Sequence, residues 1–217
     1  MMSVKQKPPE RIWDNFRRDE KLTQEQTNMF ERYAEFLLQT NQDYNLTAIK
    51  DLAGVVRQHF QDSFALRNAI DLNTITTIAD VGTGAGFPAI PLKILYPHLK
   101  VKLIEVTKKK QQFLAQVIEM FGLEDVEIVD CEWRTFLRNS QYDIDLFVTR
   151  AALDDMELIR MFQPSCRYKN ATLVYWAADT WVPNKKSVPF VQKKVSYKLA
   201  RRERFLAFMK LPVATGL

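Results

Sequence analysis

Three glycines, Gly82, Gly84 and Gly86, lie between two apolar runs in the stretch 78-IADVGTGAGFPAIPL-92. Glycines in such a loop allow a tight turn and remove side chains from the place where a cofactor can lie against the backbone. Their Gly-x-Gly-x-Gly spacing differs from the Gly-x-Gly-x-x-Gly fingerprint of dinucleotide-binding loops, and no Gly-Lys-Ser/Thr follows that would indicate a P-loop. The loop on its own is compatible with NAD or with a methyl donor.

Two acidic residues near the loop in sequence narrow the choice of cofactor. Asp80 lies two residues before Gly82, and Glu105 lies at the end of the next predicted strand. A carboxylate at the end of that strand can accept hydrogen bonds from both hydroxyls of a ribose. Together with the glycine spacing, this pattern favours S-adenosylmethionine over NAD. We therefore predict that the cofactor is bound by Asp80, Gly82, Gly84, Gly86 and Glu105.

The first part of the chain is predicted to be helical. Residues 22–41 begin with a capping box at Thr23 and then place apolar residues at helical intervals. Residues 51–70 begin at the N-cap candidate Asp51 and show the same periodicity. We expect an N-terminal helical extension, residues 1–73, that starts with a short charged tail.

From about Thr74 onward, short β-rich runs alternate with helical segments, which predicts βαβ units and a mostly parallel sheet. The last two predicted strands are consecutive and are expected to pair antiparallel. This α/β domain comprises residues 74–217. Its predicted strands are 75–81, 101–106, 126–130, 144–149, 171–176, 188–200 and 204–211, and its predicted helices are 89–96, 108–122, 132–137 and 153–162.

Length and composition exclude several classes of protein. The chain has 217 residues, 47% of them hydrophobic, which suits one medium domain with its own core. No run approaches the ~18 consecutive apolar residues that span a bilayer, and no apolar stretch follows the first charges, so we expect neither a membrane segment nor a signal peptide. Cys131 and Cys166 lack CxxC spacing and do not cluster with either histidine, so we predict neither a disulfide framework nor a metal site. We expect a cytoplasmic monomer.

The formal net charge is +5, and the basic residues concentrate near the end of the chain. From Lys185 to Lys210 there are nine basic residues and a single acid, Glu203. A solvated surface would have the same composition, but the apolar residues between the charges predict strands that display them on folded structure. The pattern favours a face that contacts phosphates.

The stretch from Asp80 to Pro88, with Pro91-Leu92 after it, closely resembles the cofactor loop of the bacterial 16S rRNA guanine-N7 methyltransferases, the RsmG (GidB) family. The resemblance extends from about Glu25 to Lys210, and further motifs follow in the family's order. They are Tyr44-Asn45-Leu46-Thr47-Ala48, His59-Phe60-x-Asp62-Ser63, Lys109-x-x-x-Phe113-Leu114, Gly122-Leu123-Glu124, Thr149-Arg150-Ala151 and Glu203-Arg204-Phe205.

This resemblance implies a class I S-adenosylmethionine-dependent methyltransferase fold, which is Rossmann-like, and methyl transfer to N7 of a guanine in the decoding-region loop of 16S rRNA. Naked 16S rRNA or the small ribosomal subunit would be the partner. The resemblance also implies that Gly82, Phe87, Trp133 and Arg134 contact the cofactor. The basic residues would then contact RNA, namely Lys185, Lys186, Lys193, Lys194, Arg201, Arg202 and Arg204.

The expected reaction requires little of the protein's own chemistry. Guanine N7 carries a lone pair and no proton, so no general base is needed, and positioning and electrostatics supply the catalysis. Arg150 follows a predicted parallel strand at the edge where such sheets bind ligands, and an arginine can bind N7 and O6 of guanine together. We expect Arg150 to lie where cofactor and substrate meet, and we expect His59 and Asn45 to be catalytic with it.

Two departures from the family pattern leave alternatives open. The family commonly has Arg-x-Glu where this chain has Glu132-Trp133-Arg134, and Leu-Lys-Gly where it has Tyr175-Trp176-Ala177. Either Trp176 stacks on an RNA base or the substrate choice differs. One alternative is a methyltransferase for a small molecule or a protein, and another is a non-catalytic RNA-binding relative that has lost cofactor binding.

Overall fold

A computed structural model of the chain describes residues 9–150 and 152–212. These residues form a seven-stranded sheet with the strand order β3-β2-β1-β4-β5-β7-β6. The strands are β1 Thr77–Val81, β2 Lys100–Ile104, β3 Val126–Val129, β4 Leu146–Arg150, β5 Thr172–Ala178, β6 Val191–Leu199 and β7 Arg202–Met209. All seven predicted strands are present, and their ends differ from the predicted ones by at most three residues.

The sheet is parallel from β1 to β5 and antiparallel at its C-terminal side. Strand β1 pairs in parallel with β2 and β4, β2 with β3, and β4 with β5. Strand β7 runs antiparallel to both β5 and β6, as predicted. Because the strand order reverses direction between β1 and β4, a crevice forms at their carboxyl ends, where such sheets bind ligands.

The helices of the described residues lie on both faces of the sheet. They are α1 Pro9–Glu20, α2 Gln24–Tyr44, α3 Leu52–Val55, α4 Asp62–Phe64, α5 Ala89–Leu95, α6 Lys108–Phe121, α7 Trp133–Asn139 and α8 Asp155–Leu158. The capping box at Thr23 and the N-cap at Asp51 are both formed. The predicted helix 153–162 is shorter than expected, because α8 passes into a 3-10 turn, Ile159–Phe162.

Helix α1 corrects the prediction of a charged tail within residues 9–20. Its Trp13 and Phe16 are buried, and the Phe16 ring stacks on Phe64 at a centroid distance of 5.7 Å. At the end of α1, Glu20 forms an ion pair of 2.5 Å with Arg67. The many charged residues of this segment lie on its solvent face, and in the sequence they obscure an apolar stripe with helical spacing.

The segment 51–70 is helical but is not one α-helix. A π-helix, Val56–Gln61, follows α3 and precedes α4. π-helical turns are rare and often occur at functional sites. Here the turn contains Gln58 and His59, and it brings both of them to the crevice at the end of β4.

The N-terminal helices share one hydrophobic core with the sheet. Phe30 of α2 and Phe60 of the π-helix belong to the same buried cluster as Ile78 of β1 and Leu92 of α5. A second cluster on the opposite face contains Phe136 of α7. The division at residues 73 and 74 therefore stays a prediction. Within the described residues, no helix combines the length and the apolar character needed to cross a bilayer.

Candidate functional site

A cleft of about 1080 Å³ opens at the carboxyl ends of β1, β2 and β4. Ligand sites in proteins typically have volumes of roughly 300–1,000 Å³, so the cleft has room for a nucleoside cofactor and part of a substrate. We name its two ends by their residues. The glycine-loop end consists of Val81–Ala85, Glu105 and Cys131–Arg134, and the arginine end consists of Leu46–Ile49, Gln58, His59, Asp62, Phe87, Arg150 and Arg204.

Each of the three glycines of the loop has a positive φ angle, and each has a different neighbourhood. A Cβ atom at Gly82 would lie 2.3 Å from Cβ of Ala152, so no side chain fits there. A Cβ atom at Gly84 would meet no atom within 4 Å, which leaves the backbone of Gly84 open to the cleft. Gly86 faces away from the cleft and packs against Tyr33.

Glu105 is buried at the glycine-loop end, with 5% of its surface exposed. Its Oε2 accepts a hydrogen bond of 3.0 Å from the Gly84 amide, and its Oε1 accepts one of 2.9 Å from the Thr107 amide. Lys110 Nζ lies 3.7 Å from Oε2. Each carboxylate oxygen keeps a second lone pair, so Glu105 can still accept hydrogen bonds from ribose hydroxyls.

Asp80 lies behind the glycine loop and not in the cleft lining. Its Oδ2 accepts hydrogen bonds from the Thr83 hydroxyl at 2.8 Å and from the Ala89 amide at 3.1 Å. Burial raises the pKa of Asp80 to about 7. The predicted contacts of Asp80 and Gly86 with the cofactor therefore find no support in the geometry, because both residues hold the loop from the side away from the cleft.

Trp133 and Arg134 line the cleft, and their contact with the cofactor stays a prediction, because both side chains are engaged with Glu157. The Trp133 indole donates a hydrogen bond of 3.0 Å to the Glu157 carbonyl. Arg134 donates two hydrogen bonds to the Glu157 carboxylate, and this pair holds the pKa of Glu157 at about 2. The chain has Glu132-Trp133-Arg134 where the family commonly has Arg-x-Glu, and Glu157 of α8 provides the partner for the arginine in its new position.

Arg150 organises the arginine end of the cleft. One terminal nitrogen donates to the Gln58 carbonyl at 2.8 Å and to Asp62 Oδ2 at 3.1 Å, and the other lies 2.8 Å from His59 Nδ1. The guanidinium also lies over the Phe87 ring, at 5.3 Å from its centroid. Most of the donors of Arg150 therefore bind the π-helix and α4.

His59 is held as a neutral ring. It stacks on Phe87 with a centroid distance of 4.4 Å, and its Nε2 lies 2.8 Å from the Thr47 hydroxyl. Because Arg150 donates to Nδ1, the ring proton lies on Nε2 and points to Thr47. Burial and the charge of Arg150 lower the pKa of His59 to about 3. The ring is therefore uncharged near neutral pH.

Asp62 joins the helical part of the chain to the C-terminal strands. Its side chain is fully buried, and Oδ1 accepts a hydrogen bond of 2.6 Å from the Tyr197 hydroxyl. Arg204 Nε lies 3.5 Å from the same oxygen without hydrogen-bond geometry. Arg204, which was predicted to bind RNA, lies in the cleft lining with 25% of its side chain exposed, and its contact with RNA stays a prediction.

The structure also bears on the predicted roles of Trp176 and Asn45. Trp176 is 1% exposed and donates a hydrogen bond of 2.9 Å to the Asp62 carbonyl, so it cannot stack on an RNA base. Asn45 ends α2 in the left-handed conformation and lies outside the cleft lining. In its place, the Asn41 side chain holds the backbone of Thr47, which does line the cleft.

The remaining predicted RNA-binding residues do not form a single face. Lys193 lies over the Phe208 ring and Lys194 over the Trp181 ring, because consecutive residues of a strand point to opposite faces of the sheet. The others lie exposed in turns or at a strand end, namely Lys185, Lys186, Arg201 and Arg202.

The chain is similar to proteins that carry one name. A family model described as "rRNA small subunit methyltransferase G" (GidB) matches residues 26–204. The Ribosomal RNA small subunit methyltransferase G of Aster yellows witches'-broom phytoplasma (strain AYWB) is 35% identical over 199 residues, covering 91% of this chain and 92% of that relative. The protein of the same name from Listeria monocytogenes is 37% identical over 160 residues, covering 73% and 67%.

Solved structures with low sequence identity share the fold. A SAM-dependent methyltransferase from Aquifex aeolicus has a TM-score of 0.52 at 16% identity, over 76% of this chain and 97% of that chain. TrmK of M. capricolum, solved with S-adenosyl-homocysteine, has a TM-score of 0.52 at 16% identity, over 70% and 71%. These likenesses and the sheet topology confirm the predicted class I methyltransferase fold.

Proposed function

The chain belongs to the GidB family of small-subunit rRNA methyltransferases, and we propose that it transfers a methyl group from S-adenosylmethionine to N7 of a guanine in the decoding-region loop of 16S rRNA. The observation that carries the proposal is the cleft with its two ends. One end presents open backbone and a buried carboxylate, and the other presents a preformed cluster around Arg150. The cleft therefore suits a nucleoside cofactor beside a nucleotide substrate.

The residues of the glycine-loop end fit S-adenosylmethionine. Gly84 leaves its backbone open to the cleft, and Glu105 keeps acceptor lone pairs for ribose hydroxyls. Trp133 and Arg134 line the same end of the cleft at the start of α7. We assign the nucleoside part of the cofactor to these residues, and its methyl-bearing part to the junction with Phe87 and Arg150.

The bound cofactor supplies a methyl group made electrophilic by a positive sulfonium. Guanine N7 attacks with its own lone pair, so no residue of the chain has to remove a proton. An arginine that donated to N7 would block this lone pair. Because the Gln58 carbonyl, Asp62 and His59 already engage Arg150, its role is to position the arginine end, and the expectation that it binds N7 and O6 together is revised.

The low pKa of His59 serves the same reaction. A charged imidazolium at this place would lie beside Arg150 and close to the positive charge of the cofactor. The neutral ring instead accepts a hydrogen bond from Arg150 and keeps the Phe87 stack. Catalysis in this cleft thus consists of orientation and of a fixed electrostatic environment.

The proposal is tested by methyl transfer from S-adenosylmethionine to 30S subunits and to naked 16S rRNA, followed by mapping of N7-methylguanine. We expect one modified guanine in the decoding-region loop. Calorimetry with S-adenosylhomocysteine on the same protein separates the alternatives. Cofactor binding with transfer only to another acceptor would contradict the substrate, and no cofactor binding would indicate a non-catalytic relative.

A further inference from the structure

The loop between β5 and β6, residues 179–190, carries a surface that the cleft does not use. Two of the four exposed large apolar residues of the described chain, Val182 and Val188, belong to this loop, with exposures of 82% and 52%. Trp181 belongs to the same loop, and its ring centroid is 5.3 Å from that of Tyr175 of β5. Lys194 Nζ of β6 lies 4.8 Å from the centroid of the Trp181 ring. The loop and Lys194 of β6 thus provide an aromatic ring, a cation and exposed apolar side chains.

The loop is held in place by the rest of the chain. The Trp181 amide donates a hydrogen bond of 3.0 Å to the Ala178 carbonyl at the end of β5. The Asn184 amide donates one of 2.6 Å to Asp155 Oδ2, at the first residue of α8. Ser187 is fully buried. A surface fixed in this way loses little conformational entropy when it binds a partner.

The position of the loop places it next to the cleft. Strand β5 is parallel to β4, so Ala178 ends on the same edge of the sheet as Arg150. Helix α8, to which the loop is bound through Asp155, also carries Glu157 of the cleft lining. A polymer that inserts one unit into the cleft would therefore pass close to this loop.

The charges of the surface complement a polyanion. Lys185 and Lys186 are exposed in the loop, and Lys194 is exposed beside it. The acid Asp179 at the start of the loop accepts a hydrogen bond from the Thr180 amide. Single-stranded RNA is typically bound by aromatic rings that stack on bases and by lysines that contact phosphates. Lysines alone would indicate a solvated surface, but a fixed tryptophan among them favours RNA.

We propose that this aromatic–lysine surface, Trp181, Val182, Lys185, Lys186 and Lys194, binds the single-stranded rRNA segment next to the target guanine. Trp181 stacks on a base, and the lysines contact the adjoining phosphates. The inference rests on the proposed rRNA substrate and adds a contact outside the cleft. The sequence predicted RNA binding by the basic residues of the C-terminal region in general, whereas this inference assigns it to the loop 179–190 and to Lys194 of β6.

The test compares three variants of the full chain with the wild type, namely Val182→Asp, Trp181→Ala and Lys194→Gln. Lys100→Gln is the matched control, because Lys100 is exposed at the start of β2, on the opposite edge of the sheet. Affinity for naked 16S rRNA is measured as a function of salt concentration, together with kcat and KM on 30S subunits and with S-adenosylhomocysteine affinity.

We expect Trp181→Ala to weaken rRNA binding by roughly 5- to 150-fold, the range found for loss of a stacked base. Lys194→Gln should lower the slope of log affinity against log salt by about 1, as for one lost phosphate contact. Val182→Asp should raise KM through repulsion of phosphate, without a folding cost since the side chain is 82% exposed. In each case kcat at saturation and cofactor affinity stay at the wild-type values, and Lys100→Gln changes nothing.

Unchanged rRNA affinity in Val182→Asp and Trp181→Ala would overturn the proposal, and Val182→Asp decides alone if Trp181→Ala is poorly folded. A raised KM on 30S subunits with unchanged affinity for naked rRNA would also overturn it, in favour of a protein contact. Failure of the proposed function is distinct, because it shows in the wild type as no transfer to either substrate.

Discussion

The glycine-loop end of the cleft presents the open backbone of Gly84 and the buried carboxylate of Glu105, which accepts hydrogen bonds from backbone amides. At the arginine end, the single carboxylate of Asp62 lies between the guanidinium groups of Arg150 and Arg204. The hydrogen bond from Gly84 to Glu105 at the first end joins residues 21 positions apart, whereas the second end joins Asp62 to Tyr197, 135 positions later. The glycine-loop end is therefore a binding surface, whereas the arginine end also connects the helical part of the chain to the C-terminal strands.

If the arginine end connects these parts of the fold, a replacement there should mainly lower the free energy of unfolding. Asp62→Asn keeps the shape of the side chain but leaves Arg150 and Arg204 without their buried counter-charge. We expect the free energy of unfolding to fall by about 3–5 kcal/mol, as when one partner of a buried ion pair is removed. Urea denaturation measures this change.

Asp143→Asn is the matched control, because the Asp143 side chain is 97% exposed in its ion pair with Arg167. Its removal should change the free energy of unfolding by less than about 0.5 kcal/mol. If Asp62→Asn were as mild as Asp143→Asn, the two ends of the cleft would not differ in the way described.

The same replacement at the glycine-loop end should affect ligand binding more than stability. Glu105→Gln keeps the volume but removes the charge that would accept the ribose hydroxyls. Hydrogen bonds to charged groups contribute about 1.5–3 kcal/mol, so we expect S-adenosylhomocysteine affinity to fall roughly 10- to 100-fold. Calorimetry measures the affinity, with the exposed Glu119→Gln on α6 as control. A large loss of stability with unchanged affinity would reverse the comparison.

The two ends also differ in how much of them can be predicted from the sequence. The glycine loop and Glu105 are readable because a turn that needs positive φ angles selects glycine, and because the end of a parallel strand has a fixed place in the fold. The arginine end is only partly readable. His59 and Arg150 are predicted as site residues, but nothing local indicates that Tyr197 of an edge strand contacts Asp62.

The predictions that the structure corrects or does not support have related physical causes. Trp176 was placed at an RNA surface because a strand pattern does not reveal which faces other elements will cover, and both faces of β5 are covered. Asp80 was assigned to the cofactor because its distance from Gly82 in sequence is correct, although its side chain points behind the loop. Helix α1 was not predicted because its charged residues outnumber the apolar residues, such as Trp13 and Phe16, that pack into the core.

The smallest expected effect in the wild type concerns pH, because two buried groups oppose each other, His59 at the arginine end and Asp80 behind the glycine loop. The pKa of His59 is lowered to about 3 from the usual 6.5, so the unfolded chain binds this proton more readily, and stability falls as the pH is lowered from 6.5 toward 3. The pKa of Asp80 is raised to about 7 from 3.8, so the folded chain binds that proton more readily, and stability falls as the pH is raised from 3.8 toward 7.

Each group contributes a slope of about 1.4 kcal/mol per pH unit, and the slopes have opposite signs between pH 3.8 and 6.5. In the wild type they largely cancel. His59→Gln should therefore leave a stability that decreases with rising pH in this window, and Asp80→Asn one that increases, as measured by urea denaturation at several pH values. Parallel curves for the two variants would contradict the opposite titration of His59 and Asp80, because each replacement should leave only the slope of the other group.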